Sequence, residues 1–325
     1  MAIDSSVLVT LAGEHRDMVC AVIIIYHHNY DKLISLLAVT HSQVERIFLI
    51  DNNPWPSKSQ HDQIMNLFHD CRIVANSANL GLAKALNQGI RCALAECFNY
   101  ILLLDQDSKP AADMIEQLIT AHRQLSADIG DVAAVGPCIY DQQRNSSLPF
   151  LKFKPAGVKK LSSENSDVRA VAVDFLVTSG CLIDAHILTT NTLMDETLFI
   201  DNVDLEWCFR LKKAGYALFG IPRARLFHQL GDGVTSLPFS KRPIALHNPK
   251  RQYFIMRNRL LLYHRKYVPI YWKIHDVPRL IFKLVFFSLF VPPRYINLTM
   301  MLKGLLDGMI GGNTRELQNR DSMTR

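Results

Sequence analysis

The sequence predicts an α/β protein with a mostly parallel, open sheet that is flanked by helices. Short β-branched or aliphatic runs alternate with segments of helical periodicity through most of the chain. Several of the runs end in polar residues, which is typical of buried parallel strands that lead into loops. With 325 residues, of which 49% are hydrophobic, the chain is long enough for one large domain or two modest ones.

Predicted strands and helices follow one another at a regular pitch. The first run, residues 19–26, is β-branched and apolar and leads into a helical pattern at residues 32–37. A later helix, which begins after residue 81, has four apolar residues on one face. Residues 141–167 are polar and basic and predict an irregular excursion or flexible loop. Further strand segments are predicted at residues 46–50, 72–75, 100–107, 132–137, 170–178, 181–183, 217–220 and 224–227.

Two carboxylates follow the apolar run that begins at Tyr100. Asp105 and Asp107 are two residues apart, so in extended backbone their side chains leave on the same face and could share one divalent cation. Such hard oxygen ligands suit Mg²⁺ or Mn²⁺. The same residues could instead open a turn and cap the helix that is expected to begin near Pro110. The pattern alone leaves both interpretations open.

Polar residues also follow other predicted strands. Ligands of open parallel sheets bind outside the carboxyl ends of the strands, so we expect these residues to converge there. No G-x-G-x-x-G or G-x-x-x-x-G-K-[ST] motif follows any of the strands, which argues against a classical dinucleotide or P-loop site. The residues near strand ends are Tyr26, His27, Asp51, Asn79, Asp105 and Asp107.

A second acidic cluster lies in residues 194–210. From Val203 the pattern is helical, with Asp201 or Asn202 at the cap, so Asp204 falls in the first turn. The helix dipole keeps a carboxylate at this position ionised, as a general base in a cleft requires. Acidic residues in a first turn are also ordinary stabilising features, so a catalytic and a structural role both remain open.

Two single residues have both a functional and a structural interpretation. His228 follows a predicted strand, where a histidine is usually hydrogen-bonded but could also complete the coordination of a cation. Gly180 could let the backbone approach a ligand closely, although a bulge or turn is the more usual reason for a glycine there.

The C-terminal part of the chain is basic and apolar. From residue 250 onward there are 14 Lys and Arg against 4 Asp and Glu, whereas residues 1–249 contain 22 against 26. Residues 248–267 predict an amphipathic basic helix that packs against the sheet domain. The apolar run 280–291 is interrupted by Lys283 and is shorter than the roughly 20 residues of a spanning helix. It could lie on an anionic membrane surface or pack as a core helix with solvated basic neighbours.

Composition argues against several other classes of protein. The seven cysteines are odd in number, scattered and never spaced as C-x-x-C, so neither a disulfide framework nor a structural zinc site is expected. A reducing cytosol fits this cysteine usage, and the N-terminal residues lack the pattern of a secretory signal. No nucleic-acid-binding module accompanies the basic charge, so we expect no nucleic-acid partner.

Eight short motifs occur in a fixed order along residues 19–312. Together they resemble inverting glycosyltransferases of family two with the GT-A fold, and specifically bacterial rhamnosyltransferases that use dTDP-L-rhamnose. An ordered set of this length is far more specific than any one of its members. The matching segments are Ile25-Tyr26-His27, Leu49-Ile50-Asp51-Asn52, Asn79-Leu80-Gly81, Leu104-Asp105-Gln106-Asp107, Thr178-Ser179-Gly180, Val203-Asp204-Leu205-Glu206-Trp207, His228-Gln229-Leu230-Gly231 and Arg257-Asn258.

The resemblance implies a role for each matching residue. Asp204 would be the catalytic base, and Asp107 and His228, with Asp105 in the same shell, would bind Mg²⁺ or Mn²⁺. The residues implied in donor binding are Tyr26, His27, Asp51, Asn79, Gly81, Asp105 and Gln106. The residues implied in the sugar or acceptor pocket are Ser179, Gly180, Glu206 and Trp207.

The expected function is metal-dependent transfer of L-rhamnose from dTDP-L-rhamnose to a lipid-linked glycan during synthesis of a bacterial surface polysaccharide such as O-antigen. The expected location is peripheral, on the cytoplasmic face of the inner membrane. The alternatives are galactofuranose transfer from UDP-galactofuranose and a sugar-nucleotide binding protein without transfer activity. A pyrophosphorylase is disfavoured because no glycine-rich basic loop follows the first strand. The expected division is an N-terminal extension (1–18), a GT-A catalytic domain (19–245) and a basic, apolar helical region that contacts the membrane surface (246–325).

Overall fold

The computed structural model describes residues 17–141, 146–164, 167–228, 234–237 and 240–311. For residues 228, 234–237 and 240–245 it describes the backbone only. Most of the expected N-terminal extension, residues 1–16, and the last part of the expected C-terminal region, residues 312–325, therefore lie outside the described residues.

Strands and helices alternate through the first half of the described chain, as the sequence predicts. The strands are β1 (Val19–Ile25), β2 (Arg46–Asp51), β3 (Cys71–Ala75), β4 (Tyr100–Asp105), β5 (Lys109–Pro110), β6 (Val132–Asp141), β7 (Ser146–Ser147), β8 (Phe150–Lys154), β9 (Gly157–Leu161), β10 (Val171–Ala172), β11 (Leu182–Asp184), β12 (Ala217–His228), β13 (Val234–Leu237) and β14 (Ser240–Ala245). The helices are α1 (Tyr30–His41), α2 (Lys58–Leu67), α3 (Leu82–Ala95), α4 (Met114–Ile129), α5 (Val203–Lys213), α6 (Pro249–His264), α7 (Ile270–Phe290) and α8 (Arg294–Ile310).

The central sheet has the strand order β10-β12-β6-β11-β4-β1-β2-β3. Strands β3, β2, β1 and β4 are mutually parallel, and β6 and β12 pair in parallel with each other. Strand β11 runs antiparallel to both β4 and β6, so the six longer strands share one direction and β11 is reversed between them. This mixed sheet agrees with the prediction of a mostly parallel open sheet.

The parallel register places several strand ends along one edge of the sheet. Asp105 lies opposite Ile24, and Asp51 lies between Ile25 and Ala75. Because all four strands run the same way, the loops that follow them leave from one side. The carboxylates at the ends of β2 and β4 therefore belong to a single cleft edge.

Alternate residues of the central strands enter two apolar layers, one on each face of the sheet. In β1, Val22 packs with the layer that contains helices α3 and α5, whereas Ile23 packs with the layer that contains α1 and α4. Both side chains have no exposed surface. Burial on both faces explains why β1 is apolar throughout instead of alternating with polar residues.

Four segments differ from the sequence prediction. The strand expected at residues 170–178 is reduced to β10, Val171–Ala172. Residues 141–167, predicted as an irregular excursion, contain the antiparallel hairpin of β8 and β9. Phe150 and Phe153 of this hairpin are buried, but they are three positions apart with Lys152 between them, so the segment lacks the period-two alternation that indicates a strand. The two predicted segments at 217–227 form one strand, β12, whose pairing with β6 changes register after Ile221. Pro110 lies in the short strand β5, and the following helix begins later, at Met114.

The three C-terminal helices pack against one another and against the sheet domain. Helix α6 is more buried than an amphipathic pattern predicts, because Arg257 and Asn258 are buried along with its apolar residues. Helix α8 approaches α6 closely at Gly304, where an added Cβ would lie 2.3 Å from the carbonyl oxygen of Tyr253. Among the described helices, none combines the length and apolarity that crossing a bilayer requires.

Candidate active site

Gln106 joins the ends of β1 and β4 at the edge of the sheet. The backbone nitrogen of Tyr26 donates to Oε1 of Gln106 over 2.7 Å, and Nε2 of Gln106 donates to the carbonyl oxygen of Tyr26 over 3.0 Å. Both polar atoms of the Gln106 side chain thus form hydrogen bonds with the backbone of Tyr26, whereas the side chains of Tyr26 and His27 are exposed. This pair holds the exit of β1 beside the Asp105–Asp107 turn.

A network of asparagine side chains holds the loop between β3 and α3. Oδ1 of Asn79 accepts from Nδ2 of Asn52 over 3.0 Å and from the backbone nitrogen of Gly81 over 2.9 Å. Oδ1 of Asn52 accepts from the backbone nitrogen of Leu80 over 3.0 Å and from Nδ2 of Asn76 over 3.2 Å. Asn79 is therefore part of a bonded network that shapes the loop.

The carboxylate of Asp51 is buried, with 1% of the residue exposed. Its Oδ1 accepts from the backbone nitrogen and from Nδ2 of Asn53, and its Oδ2 lies 2.7 Å from Nε2 of His61. Asn53 in turn accepts from the backbone nitrogen of His27 over 2.8 Å. The sequence argument missed Asn53 and His61, because only the return of α2 toward β2 brings His61 to this carboxylate.

The hydroxyl group of Ser179 forms hydrogen bonds with the turn at Asp105–Ser108. Its Oγ accepts from the backbone nitrogen of Asp105 over 3.1 Å and lies 2.5 Å from Oγ of Ser108. Ser179 has no exposed surface, and in this structure its hydroxyl holds the turn. Ser179 also borders a mainly apolar cavity lined by Pro137, Phe150 and Leu176, so its role in a sugar pocket stays a prediction. Gly180 has φ +84°, and an added Cβ would lie 2.5 Å from Cγ of Pro137. A positive φ and close packing therefore both favour glycine at this position.

Of the three expected metal ligands, the structure describes the side chains of Asp105 and Asp107 but only the backbone of His228. Asp105 is partly exposed and Asp107 is exposed, both at the carboxyl end of β4. His228 ends β12, where its backbone lies opposite Asp141, and its side chain lies outside the described residues. Across the residues that the structure describes, no group of three or more His, Cys, Asp or Glu side chains could hold a metal ion.

Asp204 lies in the first turn of α5, directly after a strained loop. Phe199, Asp201 and Asn202 have positive φ angles of 64°, 64° and 60°, which non-glycine residues adopt rarely. Asn202 occupies the cap position but its side chain makes no capping hydrogen bond. The loop therefore does not follow ordinary helix-capping geometry, and packing from elsewhere must hold it in this conformation.

The pKa of Asp204 is raised from 3.8 to about 7, chiefly by burial. The negative charges of Asp201 and Asp105 also raise it, whereas a hydrogen bond from the backbone nitrogen of Leu205 lowers it. The expectation that the helix dipole keeps this carboxylate ionised is therefore wrong, because loss of hydration outweighs the dipole. Asp105 lies 99 positions earlier in the chain, so the fold brings the two acids near enough for their charges to interact. A carboxyl group with a pKa near neutrality can exchange a proton under ordinary conditions, as a general base must.

Helix α6 holds the strained loop that precedes Asp204. Nδ2 of Asn258 lies 2.8, 2.7 and 2.9 Å from the carbonyl oxygens of Leu198, Ile200 and Asp201. Arg257 donates to the carbonyl oxygen of Thr197 over 3.0 Å from two nitrogens. The segment 197–201 is therefore fixed by two adjacent residues of the C-terminal region.

Comparison with known proteins identifies the activity class. The Glycosyl transferase family 2 matches residues 21–173, which span β1 to β10. A dTDP-rhamnosyl transferase RfbF from Shigella flexneri is 27% identical over 294 residues, which cover 90% of this chain and 95% of that protein. The chain is a glycosyltransferase with a family 2 domain.

Solved structures support the GT-A fold of this glycosyltransferase. GalNAc-T7, solved with UDP, GalNAc and Mn²⁺, superposes with a TM-score of 0.56 at 14% identity over 90% of this chain. The glycosyltransferase spans 55% of the length of that GalNAc-T7 chain. TarS of S. aureus gives a TM-score of 0.54 at 11% identity over 90% of this chain and 80% of the TarS chain. At these identities the likeness shows the fold alone.

Two residues expected in the acceptor pocket of the glycosyltransferase lie in its interior. Glu206 has no exposed surface and its carboxylate binds Arg210 at 2.8 and 3.0 Å, with Tyr267 also donating to it. Trp207 is 2% exposed and its Nε1 donates to the carbonyl oxygen of Thr192 over 2.7 Å. In this structure both side chains are used in internal contacts, so a role in the acceptor pocket stays a prediction for them.

Proposed function

We propose that this glycosyltransferase moves L-rhamnose from dTDP-L-rhamnose to a hydroxyl group of a lipid-linked glycan, with inversion at the anomeric carbon. The acceptor would be a growing bacterial surface polysaccharide such as O-antigen, at the cytoplasmic face of the inner membrane. The donor assignment is supported by similarity to the Shigella flexneri dTDP-rhamnosyl transferase over most of both chains. The observation that carries the chemistry is the raised pKa of Asp204, to which the negative charge of Asp105 contributes.

Asp204 would act as the general base. In a single displacement, its carboxylate takes the proton of the acceptor hydroxyl while that oxygen attacks the anomeric carbon from the side opposite the nucleoside diphosphate. The C1–O bond to the diphosphate breaks as the new glycosidic bond forms, which inverts the configuration. Asp204 ends the step protonated, and its pKa of about 7 allows it to release that proton to solvent.

The exposed end of β4 fits a hard divalent cation. Asp105 and Asp107 offer carboxylate oxygens from one turn, and Asp107 is exposed, so the donor set has the chemistry that Mg²⁺ or Mn²⁺ prefers. Asp105 and Asp107 would hold the cation, and His228 would be the third protein ligand. When bound, such a cation supplies electrostatic stabilisation of the negative charge that develops on the leaving diphosphate.

The donor nucleotide would lie along the edge formed by the ends of β1, β2 and β4. Tyr26 and His27 are exposed there and can contact the base and ribose directly. Asp51 and Asn79 are tied into hydrogen-bond networks, so they would act mainly by holding the loops that contact the nucleotide. Gln106 would keep the first and fourth strand ends together.

A donor panel tests this proposal. Calorimetry and product formation are measured with dTDP-L-rhamnose and UDP-galactofuranose, each with Mg²⁺, with Mn²⁺ and with EDTA. We expect binding and transfer of rhamnose only in the presence of a divalent cation, and loss of both in Asp107→Asn. The matched control is Asp128→Asn, since Asp128 is an exposed acid at the end of α4, far from the cleft in the fold.

Three results would contradict parts of the proposal. Preference for UDP-galactofuranose would overturn the donor assignment. Undiminished transfer in EDTA would overturn the role of the cation. Donor binding without transfer to any glycan acceptor and without donor hydrolysis would indicate a sugar-nucleotide binding protein.

A further inference from the structure

Helix α7 has a continuous apolar stripe on its outward side. The residues of this stripe recur every three or four positions, which places them on one face of the helix. All of them are between 40% and 66% exposed. The stripe consists of Ile270, Ile274, Val277, Ile281, Val285 and Leu289. Exposed apolar surface of this extent on a soluble fold indicates an interaction site.

Helix α8 continues this apolar surface. Its exposed side carries Leu302, Leu306, Met309 and Ile310, which are 43% to 81% exposed. We refer to these residues and the α7 stripe together as the outer face. At about 1.5 Å per residue, α7 alone gives this face a length of about 30 Å.

The opposite sides of both helices are firmly packed. The ring centroids of Trp272 in α7 and Phe209 in α5 are 5.4 Å apart. Phe287 of α7 and Met301 of α8 belong to one buried apolar cluster with Met256 of α6. The outer face is therefore the exposed side of well-anchored helices.

The C-terminal helical region, residues 246–311, has an excess of positive charge. In residues 246–311 the only acidic residues are Asp276 and Asp307, and they accept hydrogen bonds from Tyr263 and Tyr253, each over 2.7 Å. Arg279 and Arg294 are exposed, and within the described residues neither forms an ion pair. Arg279 is two positions from both Val277 and Ile281, so it lies outside the apolar stripe, on a side of α7 that can face headgroups when the stripe is buried. An apolar stripe with cations on other sides of the helix suits a bilayer surface, which is apolar beneath its anionic headgroups.

We propose that the outer face of α7 and α8 binds the surface of an anionic lipid bilayer. The helices would lie in the plane of the interface, since no described helix is suited to cross it. The apolar stripe would enter the boundary between headgroups and acyl chains, and the arginines would meet lipid phosphates. A dimer formed through the outer faces of two chains is less favourable, because it would bring the arginines of both chains together without acidic partners.

The outer face is mechanically linked to the active site. Gly308 of α8 packs so closely on α6 that an added Cβ would lie 2.7 Å from the carbonyl oxygen of Arg257, the residue that holds the loop before Asp204. Membrane contact would therefore place the cleft near lipid-linked acceptors through a stiff connection. This benefit depends on the proposed function, whereas lipid binding itself does not.

Vesicle flotation of the full chain, without donor or acceptor, tests the inference. Vesicles of phosphatidylcholine are compared with vesicles that also contain phosphatidylglycerol. We expect at least about tenfold stronger binding to the anionic vesicles, decreasing with salt. Ile281→Asp should lose about tenfold in binding, and Arg279→Glu should lose most of the preference for anionic lipid. The matched control is Ile129→Asp, because Ile129 and Ile281 are both 58% exposed but Ile129 lies at the end of α4.

The outcomes separate lipid binding from its alternatives. Equal binding to neutral and anionic vesicles, or equal effects of Ile281→Asp and Ile129→Asp, would overturn the inference. A sedimentation change from dimer to monomer in Ile281→Asp, with no vesicle binding by the wild type, would assign the outer face to contact between copies. Transfer to a soluble acceptor, measured in parallel, reports on the proposed function independently.

Discussion

The side-chain amide of Asn258 donates to the backbone carbonyl oxygen of Asp201 over 2.9 Å, across 57 positions of the chain. Asn258 belongs to the C-terminal helix α6, and Asp201 lies in the strained loop just before Asp204. The same amide reaches the carbonyl oxygens of Leu198 and Ile200. A residue outside the sheet domain thus holds the backbone that positions the proposed base.

Asn258→Ala should lower both stability and turnover. The substitution leaves buried carbonyl groups without their donor, which costs about 1–3 kcal/mol of unfolding free energy. Once released, the loop would misplace Asp204, and we expect kcat to fall by about tenfold or more, with donor affinity nearly unchanged. Chemical unfolding, steady-state kinetics and donor calorimetry measure the three quantities. Asn66→Ala, at an exposed position of α2, is the control. A destabilised variant with wild-type kcat would show that the contact supports stability alone.

Gly81→Ala should lower the free energy of unfolding by more than the backbone strain of a positive φ angle alone would. Gly81 has φ +84°, and an added Cβ would lie 2.5 Å from Cδ2 and 2.8 Å from the carbonyl oxygen of Phe199. Gly130 has φ +91° and no atom within 4 Å of its added Cβ, so Gly130→Ala carries the backbone strain without the clash. We expect about 1 kcal/mol of destabilisation for Gly130→Ala and about 2 kcal/mol more for Gly81→Ala. Equal changes in urea midpoints would show that Phe199 moves aside freely.

Asp204→Asn should abolish transfer while keeping donor binding. General-base catalysis contributes about 100-fold to 10,000-fold in rate, and the amide cannot accept the proton of the acceptor hydroxyl. Donor affinity should stay within a few-fold, because Asp204 acts on the acceptor. Single-turnover transfer and donor calorimetry measure these effects, with Asp128→Asn as the control. Turnover close to that of the wild type would place the base elsewhere.

The pH profile of transfer should reflect the raised pKa of Asp204. Burial raises this pKa to about 7, so the carboxyl is protonated and inactive as a base at lower pH. We expect kcat to increase about tenfold per pH unit up to about pH 7 and then level off. Measuring kcat from pH 5 to 9 at saturating donor and acceptor tests this, and a profile that is flat from pH 5 upward would contradict it.

Stability should respond to the same group with a defined sign. The pKa of Asp204 is higher in the folded protein than the 3.8 of an exposed aspartate, so the folded state retains a proton that the unfolded state releases. The free energy of unfolding therefore decreases as pH rises from about 4 to about 7. An asparagine at this position carries no titrating proton, so the variant Asp204→Asn should become more stable relative to the wild type by up to about 4 kcal/mol between pH 4 and pH 8. A difference between the two proteins that is independent of pH, measured by urea unfolding, would contradict this.

Much of the sheet could be predicted locally. The apolar runs at β1, β2 and β4 are short, continuous and closed by polar residues, because strands that are buried on both faces need apolar side chains throughout. The β8–β9 hairpin could not be recognised, since its two buried side chains, Phe150 and Phe153, are three positions apart and its lysines give it the composition of a loop. The sequence predicts two strands where β12 is one, because the apolar pattern breaks at the place where the pairing of β12 with β6 changes register.

The fold class, the family resemblance and the acids at strand ends can all be recognised before folding is considered, because they depend on periodicity and on residues that are adjacent in the chain. Which of these groups are accessible depends on three-dimensional packing. The tertiary structure buries Glu206 against Arg210, places Ser179 beneath the Asp105 turn and brings His61 to Asp51. It also shows that α6 holds the loop before Asp204 while α7 and α8 expose an apolar face. These relationships depend on how distant segments pack, and packing is not encoded in the spacing of neighbouring residues.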